Sequence, residues 1–265
     1  MKTRLDQAGP LNAIVDVEVA GRAGWTPLDL ATAYIDGGAR FLQLRAKSLS
    51  GAAFLDLTSR ICAVAHAAGA VVVVNDRVDI ARIAGADGIH VGQDDLSPAA
   101  ARTLIGPAAI VGLSTHTEPQ IDAAVSQPVT YVAVGPIFGT STKATGYAAV
   151  GLDRVRYAAE RLRQKVRLTA SVEATKVRLR ADPTHEESTH EEATVERAMH
   201  ERATHNRAVD RVGLVAIGGI TLDRAAEVIE AGATAVAVIT DLVASGDPES
   251  RVRAYLARLG ERGKV

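Results

Sequence analysis

Several groups of residues along this chain have the types and spacing to handle phosphate. Gln43, Arg45 and Lys47 alternate in QLRAK, so on a strand they share one side and bring two cations and an amide together. Asn75-Asp76-Arg77 and Gly92-Gln93-Asp94-Asp95 each follow a short apolar run. Carboxylates from two adjacent strand ends can share one Mg²⁺, a hard cation that also takes substrate phosphate. Asp95 could equally cap a helix beginning near Pro98, a role for which Ser97 competes, and Asp79 reads as a turn or cap residue. Thr140, Ser141, Thr142 and Lys143 occupy a loop after Gly135-Pro136, where hydroxyls, backbone N–H groups and a lysine suit an anion. Such loops are also common in ordinary turns. Gly218-Gly219 leads into a helix with Thr221 as its cap, the arrangement that binds phosphate through backbone N–H groups. Ser114-Thr115-His116 sets a histidine beside a serine, yet sequence neighbours lack triad geometry and there is no GxSxG elbow.

Something must bring these groups to one place, and the hydropathy pattern supplies it. Eight short apolar runs, the first at Leu11–Val15 and the last at Ala235–Ile239, alternate with eight helical stretches. Strands separated by helices imply right-handed parallel crossovers, and eight such units point to a closed (β/α)8 TIM barrel of the α/β class. An open doubly wound sheet is the runner-up, but it would be expected to carry a GxGxxG turn after its first strand, which is missing here. In a parallel barrel the site lies at the C-terminal ends of the strands. All the groups above fall at such ends, as does Ile239-Thr240-Asp241. Together they imply two phosphorylated groups, one metal-bound and one held by backbone.

Composition bounds the partners. The 265 residues are 47% hydrophobic but only 3% aromatic, which suits Ala- and Val-rich helix-on-sheet packing and argues against an aromatic platform for nucleic-acid bases. A formal net charge of -1 offers no general attraction for a polyanion, so no nucleic-acid partner is expected and phosphate recognition must be local. Cys62, the single cysteine, lies in an apolar helical pattern and reads as a buried structural thiol. There is neither an apolar signal core nor a run long enough for a membrane span, so a cytoplasmic location is expected.

One stretch breaks the rhythm. From 165 to 212 the composition shifts to Thr, His, Glu and Arg, with THEE occurring twice. A connection there should take about 2–6 residues, so 165–212 reads as a polar insertion, partly helical or disordered, between the sixth helix and the seventh strand. The barrel would then comprise 10–164 and 213–262. His185 and His190 are five apart, as are His200 and His205, whereas a zinc-protease helix needs histidines four apart, so the insertion reads as solvated decoration.

QLRAK (43–47), NDR (75–77), HVGQDDL (90–96), GLSTH (112–116), GPIFGTSTK (135–143) and AIGGI (216–220), in this order, resemble the successive motifs of the thiamine-phosphate synthase family. The resemblance implies a (β/α)8 transferase that joins 4-amino-5-hydroxymethyl-2-methylpyrimidine diphosphate to a thiazole phosphate, or its carboxylated form. Pyrophosphate is released and thiamine monophosphate formed, by a dissociative, Mg²⁺-assisted route without a protein nucleophile. Carried over by motif, Gln43, Arg45, Lys47, Asn75 and Lys143 would contact the pyrimidine diphosphate, and Ser114 would lie at the pyrimidine. Asp76 and Asp95 would bind Mg²⁺, while Thr140, Thr142, Gly219, Ile239 and Thr240 would hold the thiazole phosphate. Arg45, Lys47, Ser114 and Lys143 are the expected catalytic set. Departures stand at Ala46, Gly139 and Thr240, where the family usually has Glu, Pro and Ser, and the first strand is a weak match. A thiazole tautomerase-like barrel would lack the diphosphate and metal residues, and a non-catalytic phosphate-binding protein would bind without turnover. The expected partners are small molecules, with homo-oligomerisation left open.

Overall fold

The computed structural model describes residues 8–139, 148–180 and 212–260. Eight parallel strands close into a barrel in sequence order: β1 (Leu11–Asp16), β2 (Phe41–Arg45), β3 (Val71–Asn75), β4 (Gly88–Val91), β5 (Ile110–Thr115), β6 (Tyr131–Val134), β7 (Gly213–Ile217) and β8 (Ala235–Val238). β8 pairs back onto β1, from Leu11↔Val236 to Ala13↔Val238. Among the described residues the helices are α1 (Val17–Arg22), α2 (Pro27–Asp36), α3 (Gly51–Ala67), α4 (Val78–Ile83), α5 (Pro98–Ile105), α6 (Glu118–Val125), α7 (Gly151–Arg180), α8 (Leu222–Glu230) and α9 (Pro248–Gly260). A 3₁₀ turn, Thr240–Leu242, follows β8. The (β/α)8 class expected from the alternation is the class observed.

Strand alternation sorts side chains into two cores. In β2, Leu42 and Leu44 join the large cluster between strands and helices. Phe41 instead joins the barrel interior, with Ile14, Val73, Ile110, Tyr131 and Val215. Small residues make that interior possible: a Cβ on Gly112 would stand 2.1 Å from the Tyr131 ring, so the glycine of β5 gives the tyrosine of β6 its room. Cys62 is buried in α3, and burial, reinforced by the charge of Asp87, pushes its thiol up to about 12. It is an inert core group, as its surroundings in the sequence suggest.

Three elements differ from the sequence reading. α1 was not expected; it forms because the Asp16 carboxylate accepts from Val19 N–H (2.9 Å) and caps it. β5 runs past Leu113 because Ser114 and Thr115 pair with Ala133 and Val134 of β6. α7 does not stop with the barrel segment at 164 but continues to Arg180, into the stretch read as insertion. No glycine or proline interrupts 164–180, and Lys165 Nζ reaches the Val125 carbonyl at the end of α6 (2.5 Å). Residues 181–211 lie outside the described residues.

Candidate active site

A cavity of about 360 Å³ opens at the C-terminal mouth of the barrel. Gln43, Arg45, Asn75, Ser114, Gly219, Ile239 and Thr240, all site residues expected from sequence, line it. Gln43 and Arg45 reach it by strand alternation. Lys47 does not follow them: it stands two residues beyond the end of β2, where alternation no longer governs, and is 55% exposed at the rim. There its ammonium pairs with the Asp76 carboxylate. Thr140, Thr142 and Lys143 lie outside the described residues.

Asp76 and Asp95 come together at the same rim. Ser97 takes the N-cap of α5, accepting from Ala100 N–H (3.2 Å), so Asp95 is released from the capping role. Its Oδ2 instead accepts from Gly92 N–H (2.7 Å). Asp95 is held above the usual carboxylate range, chiefly by burial and then by the neighbouring Asp76 carboxyl, against the lowering effects of Gly92 N–H and Lys47. Asp76 adopts φ 66, the left-handed region that Asp tolerates better than most residues, and its N–H is tied to the His90 carbonyl (2.8 Å). Asp79, by contrast, pairs with Arg77 away from this group (2.6 Å).

Opposite the cations, the chain turns sharply through Gly218 and Gly219 into α8. Gly219 has φ 63, and a Cβ there would lie 2.5 Å from the Gly139 carbonyl oxygen. Thr221 takes the N-cap position as expected, but its side chain makes no cap bond. The Asp241 carboxylate does that work, accepting from Leu222 N–H (3.2 Å). Arg251 of α9 (2.8 Å) and the Tyr255 hydroxyl (2.5 Å) donate to the same oxygen. The Tyr255 phenol is pushed above its ordinary range by burial and then by Asp241, so it stays a donor. The turn after β8 is thereby fastened to the helix that follows the glycine turn.

Sequence reasoning placed none of three further residues, at or beside the cavity, in the site, reading only His116 as structural. His90, inside HVGQDDL, shares hydrogen bonds with Ser114 Oγ (2.8 Å) and with the buried Tyr131 hydroxyl (2.9 Å). Its ring lies nearly parallel to the Tyr131 ring, with centroids 5.5 Å apart. Burial keeps that phenol protonated, so the chain Tyr131–His90–Ser114 fixes where the serine hydroxyl stands. Period-2 alternation through β4 would have placed His90 inside the barrel, though not its partners. His116 donates from Nδ1 to the Gly135 carbonyl (2.5 Å) and so braces the exit of β6. The third is Asp16, which binds Arg45.

A parallel barrel whose mouth sets cations, amides and a carboxylate pair against a glycine turn on a helix N-terminus is a phosphate-handling (β/α)8 barrel. The chain belongs to the thiamine monophosphate synthase family, whose description matches residues 11–181, and it is a transferase. Thiamine-phosphate synthase from an Arthrobacter species is 36% identical over 236 residues, covering 87% of this chain and 87% of that protein. The synthase of Thermus thermophilus is 34% identical over 244 residues, covering 91% of this chain and 94% of its own. A solved thiamine phosphate pyrophosphorylase from Pyrococcus furiosus shares the fold, with a TM-score of 0.69 at 21% identity, covering 95% of this chain and 96% of that one.

Proposed function

We propose that this chain joins 4-amino-5-hydroxymethyl-2-methylpyrimidine diphosphate to the thiazole phosphate, or its carboxylated form, to give thiamine monophosphate and pyrophosphate, with carbon dioxide also released when the acceptor is carboxylated. The observation that supports this reading is a single cavity at the barrel mouth lined by two sets of residues suited to anions. Gln43, Arg45 and Asn75 form one set, with Lys47, Asp76 and Asp95 beside it; Gly219, Ile239 and Thr240 form the other. Two phosphorylated substrates meeting end to end need two such sets.

In this reading Arg45, Lys47 and, from outside the described residues, Lys143 hold the diphosphate and stabilise the charge that grows on it as it leaves. The methylene–oxygen bond breaks with its electron pair going to pyrophosphate, and the thiazole nitrogen lone pair forms the new carbon–nitrogen bond. With the thiazole phosphate as acceptor, no proton transfer and no protein nucleophile is needed. Gln43, Asn75 and Ser114, the last fixed by His90, orient the pyrimidine. Gly219, Ile239 and Thr240, with Thr140 and Thr142, hold the thiazole phosphate.

The rim suits Mg²⁺. Asp76 and Asp95 are two oxygen donors close enough for Asp76 to raise Asp95, and a divalent cation held by them would offset that repulsion. When bound there, Mg²⁺ would neutralise part of the diphosphate charge. Both substrates are small molecules, and we assign the reaction to the cytoplasm; no helix among the described residues is long and apolar enough to cross a membrane. We also read 165–212 as an insertion outside the catalytic barrel.

An assay with both substrates and Mg²⁺ tests the proposal. Thiamine monophosphate should form with one pyrophosphate per turnover, and Asp76→Ala should abolish it. Binding of thiazole phosphate without product would overturn it.

A further inference from the structure

The end of β1 carries a carboxylate with no place in the reading above. Asp16 is 2% exposed and sits beside Arg45 in the β1–β2 register. Both of its oxygens are committed: Oδ1 accepts from Val19 N–H (2.9 Å) and Oδ2 from Arg45 Nη1 (2.5 Å). A carboxylate bound at both oxygens, one of them to a helix cap, is a fixed point.

What it leaves of Arg45 is informative. A guanidinium presents a two-donor fork along its Nε–Nη2 edge, the geometry that matches two oxygens of one phosphoryl group. Asp16 holds the other side, by Nη1. Nε is buried and has no partner among the described residues, while the side chain as a whole lines the cavity. A buried donor without an acceptor is costly unless a ligand supplies one.

The same junction braces the next cation. Glu18, two residues on, accepts through Oε1 from Lys47 N–H (3.2 Å), Ser48 N–H (3.1 Å) and Ser48 Oγ (2.8 Å). The loop that carries Lys47 is therefore pinned to α1 by its backbone, leaving the ammonium at the rim.

We propose that Asp16 is a positioning residue for the diphosphate grip, holding Arg45 by Nη1 so that its Nε–Nη2 fork faces the departing phosphoryl group. The proposal rests on the assignment of that set of residues to the diphosphate. It separates Asp16 from an ordinary stabilising ion pair, which would hold either edge equally well.

The test uses Asp16→Asn and Asp16→Ser. Serine retains an oxygen for the Val19 cap and removes the Arg45 pair. Inorganic pyrophosphate serves as the calorimetric probe alongside steady-state kinetics. Both variants should lose about tenfold in pyrophosphate affinity and in kcat/KM for the pyrimidine diphosphate, with the KM for thiazole phosphate within about twofold of wild type. In an Arg45→Lys background, which keeps the charge but not the fork, Asp16→Asn should add little, giving a non-additive cycle.

Unchanged or improved pyrophosphate binding, equal losses toward both substrates, an additive cycle, or failure of both variants to fold would each overturn the proposal. A wild-type protein whose pyrophosphate affinity depends on Asp16 as expected, but which makes no thiamine monophosphate, would instead sink the reaction assignment and leave the positioning role standing.

Discussion

Gly219 concentrates the demands of the site in one residue. Its φ of 63 is a conformation that an alanine adopts only at a cost, and a Cβ there would meet both the Gly139 carbonyl oxygen (2.5 Å) and Phe138 Cβ (2.8 Å). Either the turn opens or Phe138 and Gly139 move, and both outcomes reshape the cavity wall that Gly139, Gly218 and Gly219 line. Gly219→Ala should therefore lower stability by about 1–3 kcal/mol and raise the KM for thiazole phosphate tenfold or more. The KM for the diphosphate should change far less. A denaturant titration and the two KM values check this, and an unchanged thiazole KM would remove Gly219 from the phosphate site. The glycine pair was legible from sequence because only one residue type tolerates such a turn before a helix. Gln43 and Arg45 were legible for a similar reason, since period-2 alternation gives their direction. Asp16 and His90 were not, because their roles depend on Arg45 of β2 and on Ser114 and Tyr131, contacts that no local pattern encodes.

At the scale of elements, the barrel closes its phosphate flank with a three-way joint. The Asp241 carboxylate receives the first N–H of α8, the guanidinium of Arg251 and the hydroxyl of Tyr255. Three elements, the turn after β8, the start of α8 and the middle of α9, thus share one oxygen. Asp241→Asn removes the charge that holds Arg251 and leaves one amide to answer donors from all three. Because Arg251 and Asp241 are partly solvated (26% and 16% exposed), the loss should be modest, about 1–2 kcal/mol by chemical denaturation. The functional signature should be selective: a several-fold rise in the KM for thiazole phosphate with the pyrimidine diphosphate KM unaffected. If both KM values rose together, the joint would be supporting the barrel at large rather than this flank. Strand and helix positions were readable because burial forces apolar periodicity. The joint was not readable, since Thr221 looks like a sufficient cap and nothing nearby in sequence reveals that Asp241 replaces it.

Over the whole molecule, the cavity and the ends of the connection between α7 and β7 lie at opposite ends of the barrel. The cavity lies at the C-terminal ends of the strands. The connection from α7 to β7 enters at the other end, where Val166 and Arg167 of α7 line a second cavity together with Val212 and Gly213. The two ends of the intervening stretch therefore come close in space, and a few residues could join them. α7 must be kept as far as Lys165, because Tyr157 and Arg161 bind Asp122 (3.0 and 2.6 Å) and Lys165 binds the Val125 carbonyl (2.5 Å). Leu168, just beyond, is exposed and makes no demand on the core. Replacing 168–211 by a short glycine-serine linker should thus leave kcat and both KM values within about twofold, since shortening a surface connection changes loop-closure entropy only slightly. The comparison needs a thermal melt of the shortened chain to show that it folds. A variant that melts cooperatively yet has lost turnover would mean that this stretch reaches the catalytic mouth, and the separation of faces would then be wrong.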